Sequence, residues 1–132
     1  YMMESQKGAS TGNNSGIYPD EILERNICTG GNSERYREFK MEGLSAGTYK
    51  IRLFCSTINA ATDAARSKWK VSVSSAETDF LLPTDFNPKN NLTQWLEQTV
   101  EVGEDGFSIL WGVASSGSYI YVPLNIIEIE KL

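Results

Sequence analysis

The chain contains no histidine. That absence excludes Ser-His-Asp and Cys-His nucleophilic catalysis and every metal site with a histidine ligand. Only two cysteines occur, Cys28 and Cys55, too few for a four-cysteine zinc site. They leave open either one disulfide or two separate thiols, with Cys55 a small core residue. A bridge between them would contribute about 3 kcal/mol by restricting the unfolded chain. No apolar run reaches the length of about 18 residues that a membrane-spanning helix needs, so membrane insertion is not expected. No charged segment followed by an apolar stretch opens the chain, and the start at Tyr1-Met2-Met3 reads as a mature or trimmed segment. Basic residues are outnumbered, 12 against 17 acids for a net charge of -5, and they do not cluster. Nucleic acid, which needs clustered cations against its phosphates, is not an expected partner.

What the chain does have is a core. Its 132 residues are 40% hydrophobic and 11% aromatic, which excludes a disordered tail and fits a single domain over 1–132. Thr48 to Cys55 alternates, with Tyr49, Ile51, Leu53 and Cys55 on one side and Lys50 and Arg52 on the other. Lys68 to Val73 repeats this, placing Trp69, Val71 and Val73 inward, and Phe107, Ile109, Trp111 and Val113 share one face of a later strand. Leu92, Leu96, Val100 and Val102 also share a parity. Tyr36–Met41 and Leu124–Leu132 read as further strands, and Gly103-Glu104-Asp105-Gly106 as a turn. The helical content expected is one short turn near Asp20–Arg25, behind Pro19. Residues 4–16 are small and polar and read as a loop, as do two long stretches, Ser56–Ser67 and Ser74–Asn91. This pattern predicts an all-β, antiparallel β-sandwich.

Three segments carry a resemblance. Thr11-Gly12-Asn13-Asn14-Ser15-Gly16-Ile17-Tyr18-Pro19-Asp20 is similar to a Gly-Asn-Asn-Ser-Gly-Val-Tyr-Pro-Asp segment of bacterial extracellular domains. Leu44 to Ser56 resembles a strand of the same family, and Ser118 to Ile129 resembles its closing strand. Only the first segment is specific; the other two are common in β-sandwiches. These domains resemble galactose-binding-type jelly rolls and carbohydrate-binding modules appended to glycan-degrading or surface proteins of Bacteroidetes. The resemblance implies a jelly-roll fold, a carbohydrate ligand and an extracellular or cell-surface location. Family members carry further β-structure before the Gly-Asn-Asn segment. Here about ten residues precede it, so the resemblance implies a trimmed chain or a strand supplied from elsewhere, with an unpaired sheet edge or an uncovered strip of core, and self-association or stabilisation by an added upstream segment.

The residues themselves favour binding over catalysis. Seventeen acids place carboxylates everywhere, yet none forms an evident glycosidase pair; Glu101, Glu104 and Asp105 read as solvated surface at a strand end. No hydroxyl has a base beside it in sequence, and the chain is not expected to be an enzyme. Sugar sites need aromatic faces with convergent polar groups. Trp69 and Trp111 follow the inward parity and belong to the core. Trp95 has the opposite parity to Leu92 and Leu96 and is a candidate contact. Tyr119 and Tyr121 flank the Ser115–Ser118 loop with rings on one parity, and Tyr18 sits in the specific segment, as contact or packed turn. Arg66 lies where the resembled family has an arginine, with two readings: hydrogen bonds to sugar hydroxyls, or a loop-anchoring pair with Asp63. Asp20 is a candidate oxygen ligand for structural calcium, or a cap for the turn that follows. Asn13-Asn14-Ser15 and Asn91-Leu92-Thr93 match the glycosylation pattern and read as chance in a bacterial protein. The function expected is non-catalytic carbohydrate binding at one rim, through Tyr18, Arg66, Trp95, Tyr119 and Tyr121. The alternative is a structural or adhesive surface domain that contacts protein and binds no glycan.

Overall fold

The computed structural model describes residues 8–9, 11–12, 18–59 and 61–132. Most of the loop read over 4–16, with Asn13 and Asn14, lies outside them. The described chain is almost entirely β, with one short helix. That helix, α1, spans Asp20–Leu23, and it is followed by β1 (Ile27–Gly31), β2 (Arg35–Met41) and β3 (Gly47–Phe54). Next come β4 (Ser67–Val73), β5 (Ala76–Asp79) and β6 (Trp95–Val102). The chain closes with β7 (Phe107–Val113), β8 (Ile120–Leu124) and β9 (Ile126–Lys131).

Every strand pairing is antiparallel. One sheet has the order β2-β7-β4-β5, the second β6-β3-β9, and a ribbon pairs β1 with β8. The alternation explains how they pack. Tyr49, Ile51 and Leu53 of β3 meet Trp69 and Val71 of β4 and Phe107, Ile109, Trp111 and Val113 of β7 in one buried cluster, joined by Ile120 and Val122 of the ribbon. Two antiparallel sheets that share one interleaved core make an all-β sandwich. Trp69 and Trp111 are 1% and 4% exposed, as their parity predicts. Their indole N–H groups reach carbonyls, Trp69 at Pro123 (2.9 Å) and Trp111 at Ile27 (3.2 Å), so each buries a large apolar ring without stranding a donor.

Three features depart from the sequence reading. The stretch read as a loop over Ser74–Asn91 contains β5, which forms a hairpin with β4. Ser74 and Ser75 carry it, with φ of 49° and 67° between the paired Val73 and Ala76. Two positive φ values in a two-residue loop define a type I′ turn, for which Asn-Gly is the usual signal and Ser-Ser is not. The second departure is β1, whose Cys-Thr-Gly-Gly composition carries little strand signal. The third lies at the C-terminal strand, which is two strands bent at Asn125. Its backbone N–H donates to Phe54 O, its Nδ2 to Leu23 O, and its Oδ1 accepts from Ser56 N. One side chain thereby ties α1, the end of β3 and the bend together.

Cys28 and Cys55 are both buried free thiols. Burial pushes the Cys55 thiol well above the usual range, and nearby Cys28 adds to it, so Cys55 is not a poised nucleophile. Asn91 is 6% exposed. Its amide donates to Cys55 O and Gln94 O and accepts from the Thr93 and Gln94 amides, so its place in a glycosylation pattern is structural. Among the described residues, no helix is long and apolar enough to cross a membrane.

Candidate functional site

The five residues singled out by the sequence gather into two groups. The first lies on the outer face of the β6-β3-β9 sheet. Phe54, at the end of β3, points outward yet is fully buried, because Trp95 and Tyr18 pack over it with ring centroids at 5.3 and 6.4 Å. Tyr18 and Trp95 meet edge-on at 5.5 Å. The Arg52 guanidinium lies 4.4 Å from the Trp95 ring centre, and the Tyr18 hydroxyl donates to Glu128. Desolvation, and after it the Glu128 carboxylate, pushes the Tyr18 phenol up to about 12. Further along the same face Arg52 pairs with Glu128 (3.3 Å) and Glu97 (3.7 Å), and Lys50 with Glu130 (3.5 Å). A depression of ≈ 270 Å³ lined by Lys50, Arg52, Glu128, Ile129 and Glu130 opens there. It is smaller than most ligand pockets, and its charges are paired, although the buried Arg52 Nε makes no hydrogen bond. The cation over Trp95 and the acid on Tyr18 make this group a packed unit.

The second group sits where three loops meet beside the β1-β8 ribbon. Arg66, just before β4, donates from Nε and Nη2 to Ser115 O (3.2 and 2.9 Å) and from Nη1 to Ser118 O (2.8 Å). Asp63 is 3.9 Å away, at the limit of an ion pair. Three nitrogens of the guanidinium are thus committed to shaping the Ser115–Ser118 loop. Gly117 lies against it, for a Cβ there would stand 2.6 Å from the guanidinium carbon. The Gly117 amide donates to Asn32 O (2.9 Å), and the Tyr121 amide to Ala61 O (2.9 Å), which draws in the other two loops.

Tyr119 and Tyr121 emerge from this framework with centroids 5.3 Å apart, edge to face. Tyr119 is 44% exposed. Its ring lies over Gly30 of β1, where a Cβ would come within 2.6 Å of the hydroxyl oxygen. Gly30 and Asn32 were missed by sequence reasoning, although Gly30-Gly31-Asn32 is a visible turn signal. Arg52 was assigned only an outward direction, since nothing in the sequence places it over Trp95. Asp20 accepts from the Thr11 amide and hydroxyl at 2.8 and 2.7 Å and anchors that segment to α1. The residue at the cap position is Pro19, without a side-chain bond. Among the described residues no group of three or more His, Cys, Asp or Glu is placed to hold a metal ion.

No known family, curated protein or solved structure matches this chain.

Proposed function

We propose that this sandwich is a non-catalytic carbohydrate-binding module of the galactose-binding-like, jelly-roll kind, working in a secreted or cell-surface bacterial protein. The observation that supports it is Tyr119, exposed over Gly30 and edge-on to the half-buried Tyr121, at a rim that Arg66 holds in shape. Sugar rings present apolar C–H faces that stack on aromatic rings, and their hydroxyls need polar groups at the margin. Asn32, Asp63 and the Ser115–Ser118 loop lie at that margin. In this reading Tyr119 and Tyr121 carry the stacking and Arg66 acts by positioning the loop. Tyr18 and Trp95 have a structural part.

A shallow site of two rings supports about 4–6 kcal/mol of binding, roughly millimolar to tens of micromolar. A glycan array followed by calorimetry tests the proposal. Binding to a poly- or oligosaccharide that is lost in Tyr119→Ala/Tyr121→Ala, with the β circular dichroism spectrum unchanged, is the expected result. An array without a single ligand, or affinity indifferent to that double substitution, contradicts it. The adhesive reading then takes its place, supported by the edge of β2, which has no strand partner among the described residues, and by Leu81 and Leu82, adjacent and 69% and 43% exposed.

A further inference from the structure

β2 ends its sheet, and among the described residues its far edge has no strand partner. Which peptide groups face that edge follows from the hairpin at the other side of the sheet. Val73 and Ala76 close a two-residue turn and so form a hydrogen-bonded pair. The Phe80 amide donates to Trp69 O at 2.9 Å in continuation of the same series. The odd residues of β4 therefore bond toward β5, and its even residues Lys68, Lys70 and Ser72 bond toward Gly112, Leu110 and Ser108 of β7. The odd residues of β7 are left for β2, where they meet Arg35, Arg37, Phe39 and Met41. Tyr36, Glu38 and Lys40 consequently direct their N–H and C=O groups at the free edge.

We propose that this edge pairs antiparallel with β2 of a second copy of the chain, joining two four-stranded sheets across a two-fold axis. Symmetry and the hydrogen-bond alternation allow only registers that set even residues opposite even ones. Centred on Arg37, the register opposes Arg37 to itself. Centred on Glu38, it opposes Glu38 to itself. Centred on Phe39, it sets Glu38 opposite Lys40 of the second copy, twice by symmetry, with Tyr36 opposite Glu42. Counting only pairs with both members inside β2, the third is the register that opposes unlike charges without opposing like ones. It also brings the two Phe39 rings together at the axis. That side chain is 41% exposed although it lies on the core side of the sheet, opposite Ile109. Lys40 already pairs with Glu42 of its own chain at 2.8 Å, and in the dimer it bridges Glu42 and the incoming Glu38. A lone edge lysine usually keeps strands apart; Glu38, two residues earlier, supplies the complement that a symmetric partner needs. None of these residues belongs to the tyrosine rim, so this inference stands apart from the glycan reading.

Sedimentation equilibrium of the full chain is the test, with hydrogen exchange at the Tyr36, Glu38 and Lys40 amides as a second readout. The wild type is expected to dimerise, and those amides to gain protection as concentration rises. Glu38→Lys and Lys40→Glu each put like charges opposite one another at two places and should weaken association by about tenfold or more. The double variant Glu38→Lys/Lys40→Glu restores opposite pairs and should restore the dimer. A wild type that stays monomeric, a dimer indifferent to the single reversals, or a double variant as weak as the singles would each overturn the proposal.

Discussion

Trp95 lies beneath Arg52 and Tyr18 against Glu128, whereas Tyr119 lies over Gly30, 44% exposed, with Tyr121 edge-on to it. Both groups are pairs of aromatic residues off the main core, and both meet edge-on, at 5.5 and 5.3 Å. The difference lies in what surrounds them. On the outer sheet face the neighbours are long charged side chains, which cover a ring with a cation and satisfy a phenol with a carboxylate. At the rim, Tyr119 lies over a glycine that supports the ring from below and leaves it 44% exposed, while Tyr121 beside it is half-buried. The arginines differ likewise: Arg52 lies over an aromatic ring, and Arg66 is bonded to loop carbonyls beside the rings. An aromatic side chain becomes available for binding when its neighbours are small.

The substitution that separates the two groups most strongly is Trp95→Ala. It removes the ring that covers Phe54 and carries Arg52, and should cost about 2–3 kcal/mol in denaturant unfolding while glycan affinity is retained. A loss of affinity without a loss of stability would reverse the roles assigned here. Arg66→Ala should cost about 2 kcal/mol, because charge-assisted bonds to Ser115 and Ser118 are lost, and should speed hydrogen exchange at the Gly117 amide. Arg66→Lys should not rescue that exchange, since one ammonium cannot reproduce the planar three-nitrogen contact. Gly30→Ala should displace the Tyr119 ring and weaken glycan binding about tenfold, with stability changed by less than about 1 kcal/mol. Calorimetry and thermal melts on one sample read both.

The smallest effect is a pH dependence. The Tyr18 phenol, raised from 10.0 to about 12 in the fold, holds its proton more tightly folded than unfolded. Its contribution to stability is therefore complete below about pH 10 and is lost as pH rises toward 12. Tyr18→Phe should remove that share of the alkaline decline, leaving a shallower slope of unfolding free energy between pH 10 and 12. An unchanged slope would mean that burial and the Glu128 contact do not raise the phenol.

Legibility in the sequence followed the physics of each element. Strands with one face in the core were readable, because alternation records burial: β3, β4 and β7 appear where Tyr49 to Leu53, Trp69 to Val73 and Phe107 to Val113 alternate. β5 was not, for all four of its residues are exposed and its turn uses serines at positive φ. β1 was hidden by its glycines, one of which is there because Tyr119 needs the space. The parity of Trp95 correctly put it on the outer face; what a parity cannot say is that Arg52, two strand positions before Phe54 on the neighbouring strand, would cover it. The candidate tyrosines at the rim were legible as flanks of a Ser-Gly loop. Their support, from Gly30, Asn32 and Arg66, comes from chain far away in sequence, and periodicity carries no information about such contacts.

The central claim is that the tyrosine rim, and not the Trp95 face, meets a ligand. A two-dimensional amide and indole NMR titration with an oligosaccharide chosen from the array measures this directly. The account predicts shifts at Tyr119, Tyr121, Gly117 and Asn32, with the Trp95 indole and the Arg52 amide unmoved. Shifts concentrated at Trp95, Arg52 and Glu128, with the rim silent, would contradict it.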